Sequence, residues 1–174
     1  MDSEQLGDLI DGLADALELY ARQWCDEPED VVQEAFVKLA SLTEPPLNPA
    51  AWLFRAVRNG AINAGIARRR RDRHEFEAAT EASAHWFEAK KAGRHEYAID
   101  PDSAQLALSA LPLAEREVIV AHLWGGLTFE QIADLAGLST SSAHRLYQAG
   151  LKALRERLGV PCRTNAAPSR PIRS

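Results

Sequence analysis

The sequence predicts an all-α protein of two small helical domains joined by a linker, the second domain containing a helix-turn-helix. Apolar residues recur at spacings of three and four along most of the chain, which is the periodicity of amphipathic helices. Glycine and proline divide the chain into short segments, and the alternation of β-branched residues that marks strands is absent. We place the first domain at residues 1–75, the linker at 76–102, the second domain at 103–158 and a disordered tail at 159–174.

Charge is distributed unevenly along the chain, whose net charge is −5. Residues 1–50 hold twelve acids and two bases, whereas residues 51–75 hold seven bases and two acids. Residues 76–103 are acidic again, with six acids and three bases, and residues 104–174 are basic, with eight bases and five acids. Two basic segments indicate contacts with DNA at two places, and the acidic first segment suits a basic protein partner. The net negative charge argues against tight DNA binding by the chain alone.

The first domain begins with a helix predicted over residues 3–24 and continues with a second helix that ends near Leu42. Asp26 is the predicted N-cap of the second helix, with Pro28 in its first turn and Glu29 reaching back to complete the cap. The predicted inward face of this helix consists of Val32, Ala35, Phe36 and Leu39. Its predicted outward face carries Glu29, Asp30, Gln33, Glu34 and Lys38.

A third helix is predicted after the proline-rich loop, with Asn48 as its cap and Pro49 at its start. Its inward stripe is predicted to be Leu53, Val57, Ala61 and Ala64. Another side of the helix carries Trp52, Arg55, Asn59 and Asn63. Aromatic, guanidinium and amide groups stack on unpaired bases and hydrogen-bond their edges, and the arginines from Arg68 to Arg71 suit phosphates. A structural tryptophan beside a solvated charge run would explain the same pattern.

In the second domain, two helices predicted over 104–111 and 112–124 precede the helix-turn-helix. Thr128 and Gln131 form a capping box for its first helix, which Gly137 ends. Leu138, in the turn, is expected to point into the core.

The last helix is capped by Ser139 and runs to Leu158. Its predicted apolar stripe is Ala143, Leu146, Tyr147, Gly150, Leu151, Leu154 and Leu158. Its polar and basic face carries Ser141, His144, Arg145, Gln148, Lys152 and Arg155. Such a helix fits the major groove of DNA with its N-terminal half toward the bases, although an ordinary helical hairpin has the same outline.

No pattern in the sequence indicates catalysis, a metal or a cofactor. Cys25 and Cys162 lack metal-ligand spacing, as do His74, His85 and His95, and no nucleophile lies beside a base. We therefore expect a protein that is not an enzyme and binds neither a metal nor a cofactor. No apolar run is long enough to span a bilayer, and the acidic N-terminus lacks a signal core, so we expect a cytoplasmic protein without membrane contacts.

Three segments in this order resemble the sigma factors of bacterial RNA polymerase, in particular the small two-domain extracytoplasmic-function group. They are PEDVVQEAFVKLA, PAAWLFRAVRNGAINAGIARRRR and, after a linker, LPLAEREVIVAHLWGGLTFEQIADLAGLST. The resemblance covers residues 15–75 and 103–158 and implies a subunit that directs core RNA polymerase to promoters.

The resemblance also implies a role for each of the three outward faces. The second helix would dock on the β′ clamp of the polymerase through Glu29, Asp30, Gln33 and Glu34. The third helix would capture the melted −10 element through Trp52, Arg55, Asn59, Asn63, Arg68 and Arg69. The last helix would contact the −35 element through Ser141, His144, Arg145, Gln148, Lys152 and Arg155. The implied partners are core RNA polymerase, at its β′ clamp and β flap, promoter DNA, and an anti-sigma factor as a further candidate.

Two alternatives remain open on the sequence. A stand-alone helix-turn-helix regulator would bind its promoter tightly without polymerase, which a net charge of −5 disfavours. A sigma-like interaction module without promoter activity is kept open by Asn63 and Leu146, which stand where the family commonly has aspartate and arginine.

Overall fold

The computed structural model describes residues 2–75 and 101–159, with the side chains of 73–75 and 101–102 left out, and contains no strand in these two ranges. The helices there are α1 (Ser3–Ala21), α2 (Pro28–Ser41), α3 (Pro49–Glu75), α4 (Pro101–Ser109), α5 (Leu113–Leu123), α6 (Phe129–Ala136) and α7 (Thr140–Leu158). The predicted all-α class is therefore confirmed. Most of the predicted linker, residues 76–100, and the predicted tail from residue 160 onward lie outside the described residues.

Helices α1, α2 and α3 pack against one another and form the first helical group. Asn48 caps α3 as predicted, since its Oδ1 accepts a hydrogen bond of 2.9 Å from the Ala51 amide. The predicted inward face of α2 is buried, as are Leu53, Val57 and Ala61 on α3, whereas Ala64 is only half-buried.

The predicted cap of α2 was wrong. Glu27 occupies the N-cap position and makes no side-chain capping bond, with Pro28 as the first helical residue. Asp26 instead pairs with Arg68 on α3, with 2.6 Å between Oδ2 and Nη1. Sequence spacing identified a helix start here, but a cation supplied by a distant helix is a stronger partner for this carboxylate than a neighbouring amide.

Helices α4 to α7 form the second helical group, in which α7 packs against α4, α5 and α6. The capping box of Thr128 and Gln131 is present, and Ser139 accepts a hydrogen bond from the Ser142 amide. Gly137 has φ +70°, the left-handed conformation that a glycine adopts without a steric penalty, so the chain reverses sharply into α7. These contacts confirm the helix-turn-helix.

The expectation for Leu138 was wrong, because its side chain is 37% exposed at the surface of the turn. The core beneath the turn is filled by other side chains, among them Ile132, Leu135 and Ala143. An apolar residue in a three-residue turn can therefore remain at the surface when the flanking helices already supply the core.

The two helical groups pack directly against each other, α1 against α5 and α3 against α6, and share one continuous apolar core. A buried carboxylate lies in this contact. Glu117 of α5 is 6% exposed, and its Oε1 accepts hydrogen bonds from the Tyr20 hydroxyl at 2.8 Å and from Arg58 Nε at 2.7 Å. The sequence did not predict this contact.

Candidate partner and nucleic-acid interfaces

The acidic face of α2 is at the surface as predicted, with Glu29, Asp30, Gln33 and Glu34 all exposed. Two of its carboxylates have basic partners, since Glu29 pairs with Arg22 at 3.2 Å and Glu34 with Lys38 at 2.8 Å. Exposed pairs of this kind contribute little to stability, so both carboxylates can exchange their partners for those of another protein.

A cleft of about 450 Å³ lies beside this face, between α2 and α3. Its lining combines the carboxylates of Asp30 and Glu34 with the guanidinium groups of Arg68 and Arg71. Cys25 lies at the same cleft, and burial raises the pKa of its thiol above the ordinary value. The cleft extends the charged surface of α2 toward the basic end of α3.

The predicted −10 residues divide into two sides of α3. Arg55, Asn59, Asn63 and Arg69 are exposed and recur at helical spacings that place them on one side. Trp52 shares that side but is half-buried and packs against the core, so it serves the fold as well as the surface.

Arg68 does not share that side. It lies about 140° around the helix from Arg55 at 100° per residue, and it pairs with Asp26 at 2.6 Å and with Asp72 at 3.6 Å. A guanidinium that already contacts two carboxylates is poorly placed for phosphates. Arg69 is therefore the better candidate of the two for a DNA contact.

All six predicted −35 residues on α7 are exposed on the outer face of the helix-turn-helix: Ser141, His144, Arg145, Gln148, Lys152 and Arg155. Arg145 Nη2 donates to Ser142 Oγ at 3.1 Å, so its guanidinium is held over the first turn of α7. Lys152 lies 3.9 Å from Glu156. The contact between the two helical groups leaves this face uncovered.

An aromatic cluster fixes the angle between the two helices of the motif. The Phe129 ring, at the start of α6, stacks on the His122 ring with centroids 4.4 Å apart and meets Tyr147 of α7 edge-on at 5.3 Å. His144, also on α7, meets the Phe129 ring edge-on at 5.1 Å. His144 is therefore partly a packing residue, which its helical spacing alone did not indicate.

Within the described residues, no group of histidine, cysteine and acidic side chains is placed to hold a metal ion. No helix among residues 2–75 and 101–159 is long and apolar enough to cross a membrane.

Comparison with known proteins identifies both helical groups. Residues 9–74 match the family model of sigma-70 region 2, and residues 107–156 match that of sigma-70 region 4. No curated protein sequence matches the chain significantly.

Solved structures share the fold. The sigma factor RpoE of Bartonella quintana, in complex with the anti-sigma factor NepR, is 22% identical with a TM-score of 0.65, over 91% of this chain and 99% of that one. CnrH, in complex with the cytosolic domain of CnrY, is also 22% identical, with a TM-score of 0.54 over 91% of this chain and 90% of that one.

Proposed function

The chain belongs to the sigma-70 family of RNA polymerase subunits, and we propose how its two helical groups divide the work of promoter recognition. The family matches confirm the function predicted from the sequence, a sigma factor that binds core RNA polymerase and directs transcription initiation. The chain matches regions 2 and 4, and this pair of regions agrees with the extracytoplasmic-function group that the sequence resembles.

In this proposal, residues 1–75 bind the polymerase and the −10 element. The acidic face of α2, formed by Glu29, Asp30, Gln33 and Glu34, meets a basic surface of the β′ clamp, and exposed carboxylates favour such an encounter electrostatically. The exposed side of α3 then holds the melted strand, with Trp52 offering its indole ring for stacking and Asn59 and Asn63 offering amides to base edges.

Residues 103–158 bind the −35 element through α7, and residues 76–102 connect the two domains. Arg145 lies early enough on the helix to reach the bases, where a guanidinium can bond two acceptors of guanine at once. Lys152 and Arg155 lie two and three turns further along and suit the phosphate backbone. The observation that carries this proposal is the order of the two family matches combined with exposed polar faces on α3 and α7.

The partners extend beyond DNA. We propose contacts with both the β′ clamp and the β flap of core polymerase, and an anti-sigma factor as a separate regulatory chain. The latter is supported by the similar structure of RpoE, which was solved with an anti-sigma factor. We further propose that the chain acts in the cytoplasm, where polymerase and promoters are, without catalysing a reaction of its own.

Gel shifts with and without core polymerase test this division. The free chain should bind a promoter duplex weakly, because each domain supplies only a small contact and the net charge is −5. Polymerase should raise the affinity strongly, because holding both domains on one DNA makes the second contact intramolecular. Nanomolar, sequence-specific binding by the free chain at physiological salt would favour the stand-alone regulator instead.

A further inference from the structure

Two serine hydroxyl groups are hydrogen-bonded to each other at the start of α7. Ser139 Oγ caps the helix by accepting a hydrogen bond of 3.2 Å from the Ser142 amide. The same hydroxyl donates its proton to Ser142 Oγ, with 2.8 Å between the oxygens. Ser142 is half-buried, so this second bond fixes the orientation of its side chain in a place where water competes little.

Helix capping does not explain the Ser142 hydroxyl. The cap needs only the oxygen of Ser139 and a backbone amide at position 142, which any residue except proline supplies. The Ser142 oxygen has a further partner, because it accepts a hydrogen bond of 3.1 Å from Arg145 Nη2. A guanidinium only donates, so the direction of this bond is fixed. Ser142 therefore connects the cap of α7 to the arginine for which base contact is proposed.

The place of the Arg145 side chain depends on this bond. The positions one helical turn before and after Arg145 are residues 141, 142, 148 and 149, and none of them is an acid that could pair with it. The first turn of a helix carries a partial positive charge, which disfavours a cation above it. Without the Ser142 hydroxyl, the guanidinium would have no partner at this end of α7.

The bond to Ser142 leaves Arg145 able to bind DNA. It uses a single N–H of the guanidinium, and the remaining donors suffice for the two acceptors that guanine presents in the major groove. Arg145 is also exposed on the outer face of the helix-turn-helix. A side chain that is already held in its bound conformation loses less entropy on binding, so the tether favours the complex.

The two ends of the polar face of α7 differ in how firmly their side chains are held. At the end nearest the turn, Ser142 holds Arg145, and the His144 ring packs edge-on against Phe129 with centroids 5.1 Å apart. At the other end, Lys152 is an exposed cation that lies 3.9 Å from Glu156. Base contacts carry the sequence information and gain from supporting hydrogen bonds, whereas phosphate contacts carry none.

We propose that Ser142 is a positioning residue for recognition of the −35 element. It holds the Arg145 guanidinium over the first turn of α7, so that this group meets guanine in one orientation. Ser139 supports the arrangement by donating to the same oxygen. The inference rests on the proposed function, in which Arg145 contacts a base, and it adds the residue on which the selectivity of that contact depends.

Selection from a pool of DNA fragments tests the positioning. Holoenzyme, assembled from core polymerase and the full chain, is mixed with fragments of the DNA upstream of the chain's own gene in which the −35 segment is randomised. Sequencing of the bound fragments gives the base preference at each position, and Arg145→Ala identifies the position that Arg145 reads. Ser142→Ala should lower the guanine preference there by about two- to tenfold, which corresponds to the cost of ordering one long side chain on binding.

Three further variants separate positioning from a structural role. Ser142→Thr keeps a hydroxyl at the same place and should retain the guanine preference. Thr140→Ala removes an exposed hydroxyl from the same turn and should leave the preference unchanged. Ser142→Ala combined with Arg145→Ala should behave like Arg145→Ala alone, because the group that Ser142 positions is absent. Ser142→Ala should also unfold at the wild-type temperature, since the cap remains and alanine favours a helix.

A guanine preference that Arg145→Ala loses and Ser142→Ala keeps would overturn the positioning role. A further loss in the combined variant, a loss in Ser142→Thr, an equal loss in Thr140→Ala or a lowered unfolding temperature of Ser142→Ala would overturn it as well. Each of these results describes a residue that acts on the helix and not through Arg145. If Arg145→Ala changed no base preference, the proposed role of Arg145 itself would be refuted, and the positioning role with it.

Discussion

Reversing the charge of the α2 face should abolish polymerase binding while leaving the chain folded. The double substitution Asp30→Lys and Glu34→Lys changes two exposed carboxylates that line the cleft between α2 and α3. Neither position belongs to the apolar core. The double substitution therefore alters the charge of the surface that a partner would contact, without removing buried contacts.

The expected stability cost follows from the contacts of these two residues. Glu34 loses its exposed ion pair with Lys38, worth about 0.3–0.5 kcal/mol, and the new lysine repels Lys38 by a similar amount. Asp30 loses a favourable place in the first turn of α2, worth about 0.3–1 kcal/mol, and the cation put there is unfavourable. The total of about 1–3 kcal/mol is below the stability of a typical domain, about 5–15 kcal/mol.

The effect on binding should be larger, because each new lysine would face the basic surface that the carboxylates are proposed to meet. Like charges brought together at an interface cost several kcal/mol, and a loss of about 3 kcal/mol corresponds to a more than hundredfold weaker complex. Pull-down of core polymerase measures the loss, and thermal unfolding followed by circular dichroism verifies that the fold remains.

Asp8→Lys with Asp11→Lys is the matched control, since both are exposed acids on α1 and the change in net charge is the same. The control should retain polymerase binding. Equal binding by the wild type and the α2 double variant would refute the role of this face. Equal losses of polymerase binding in the two double variants would mean that net charge, and not the α2 face, causes the effect.

Three further results are expected. Asn59→Ala should reduce open-complex formation and change closed-complex binding little, because the exposed amide meets bases only after melting. The permanganate reactivity of unpaired thymines measures the open complex. Equal losses in both complexes would count against this role. Arg145→Ala should relax the base preference at one or two −35 positions by about 1–3 kcal/mol. Lys152→Ala should instead weaken binding to all sequences and reduce the slope of log affinity against log salt concentration by about one. Identical sequence and salt dependence in the two variants would contradict the separate roles of base and phosphate contact. Cys25 should react slowly with thiol reagents in the folded chain, because burial raises the pKa of its thiol and disfavours the reactive thiolate. The reaction should become faster as the pH rises. Rapid reaction at neutral pH would contradict the burial of this side chain.

The sequence predicted the helices well because periodicity and caps are local. The face of α2, the Asn48 cap and the turn at Gly137 all follow from residues within a few positions of one another. Asp26 was misassigned as the cap of α2 because its partner, Arg68, lies 42 positions away, and spacing carries no information about such a pair.

The contact between the two groups could not be predicted in the same way. Glu117 has no local partner that identifies it, since its two donors lie 97 and 59 positions earlier in the chain. One signal was present: Glu117 precedes the run Val118 to Ala121, which leaves α5 apolar on more than one side and indicates a helix covered on two faces. Which surface covers the second face required the three-dimensional structure.

Transcription in vitro tests the central claim most directly. Purified core polymerase and this chain are supplied with the DNA upstream of the chain's own gene, and the RNA product is mapped at its 5′ end. We expect a discrete transcript that core polymerase alone does not make and that disappears with the Asp30→Lys and Glu34→Lys variant. Absence of any transcript with the wild-type chain, while that chain still binds core polymerase, would contradict a sigma factor and describe an interaction module without promoter activity.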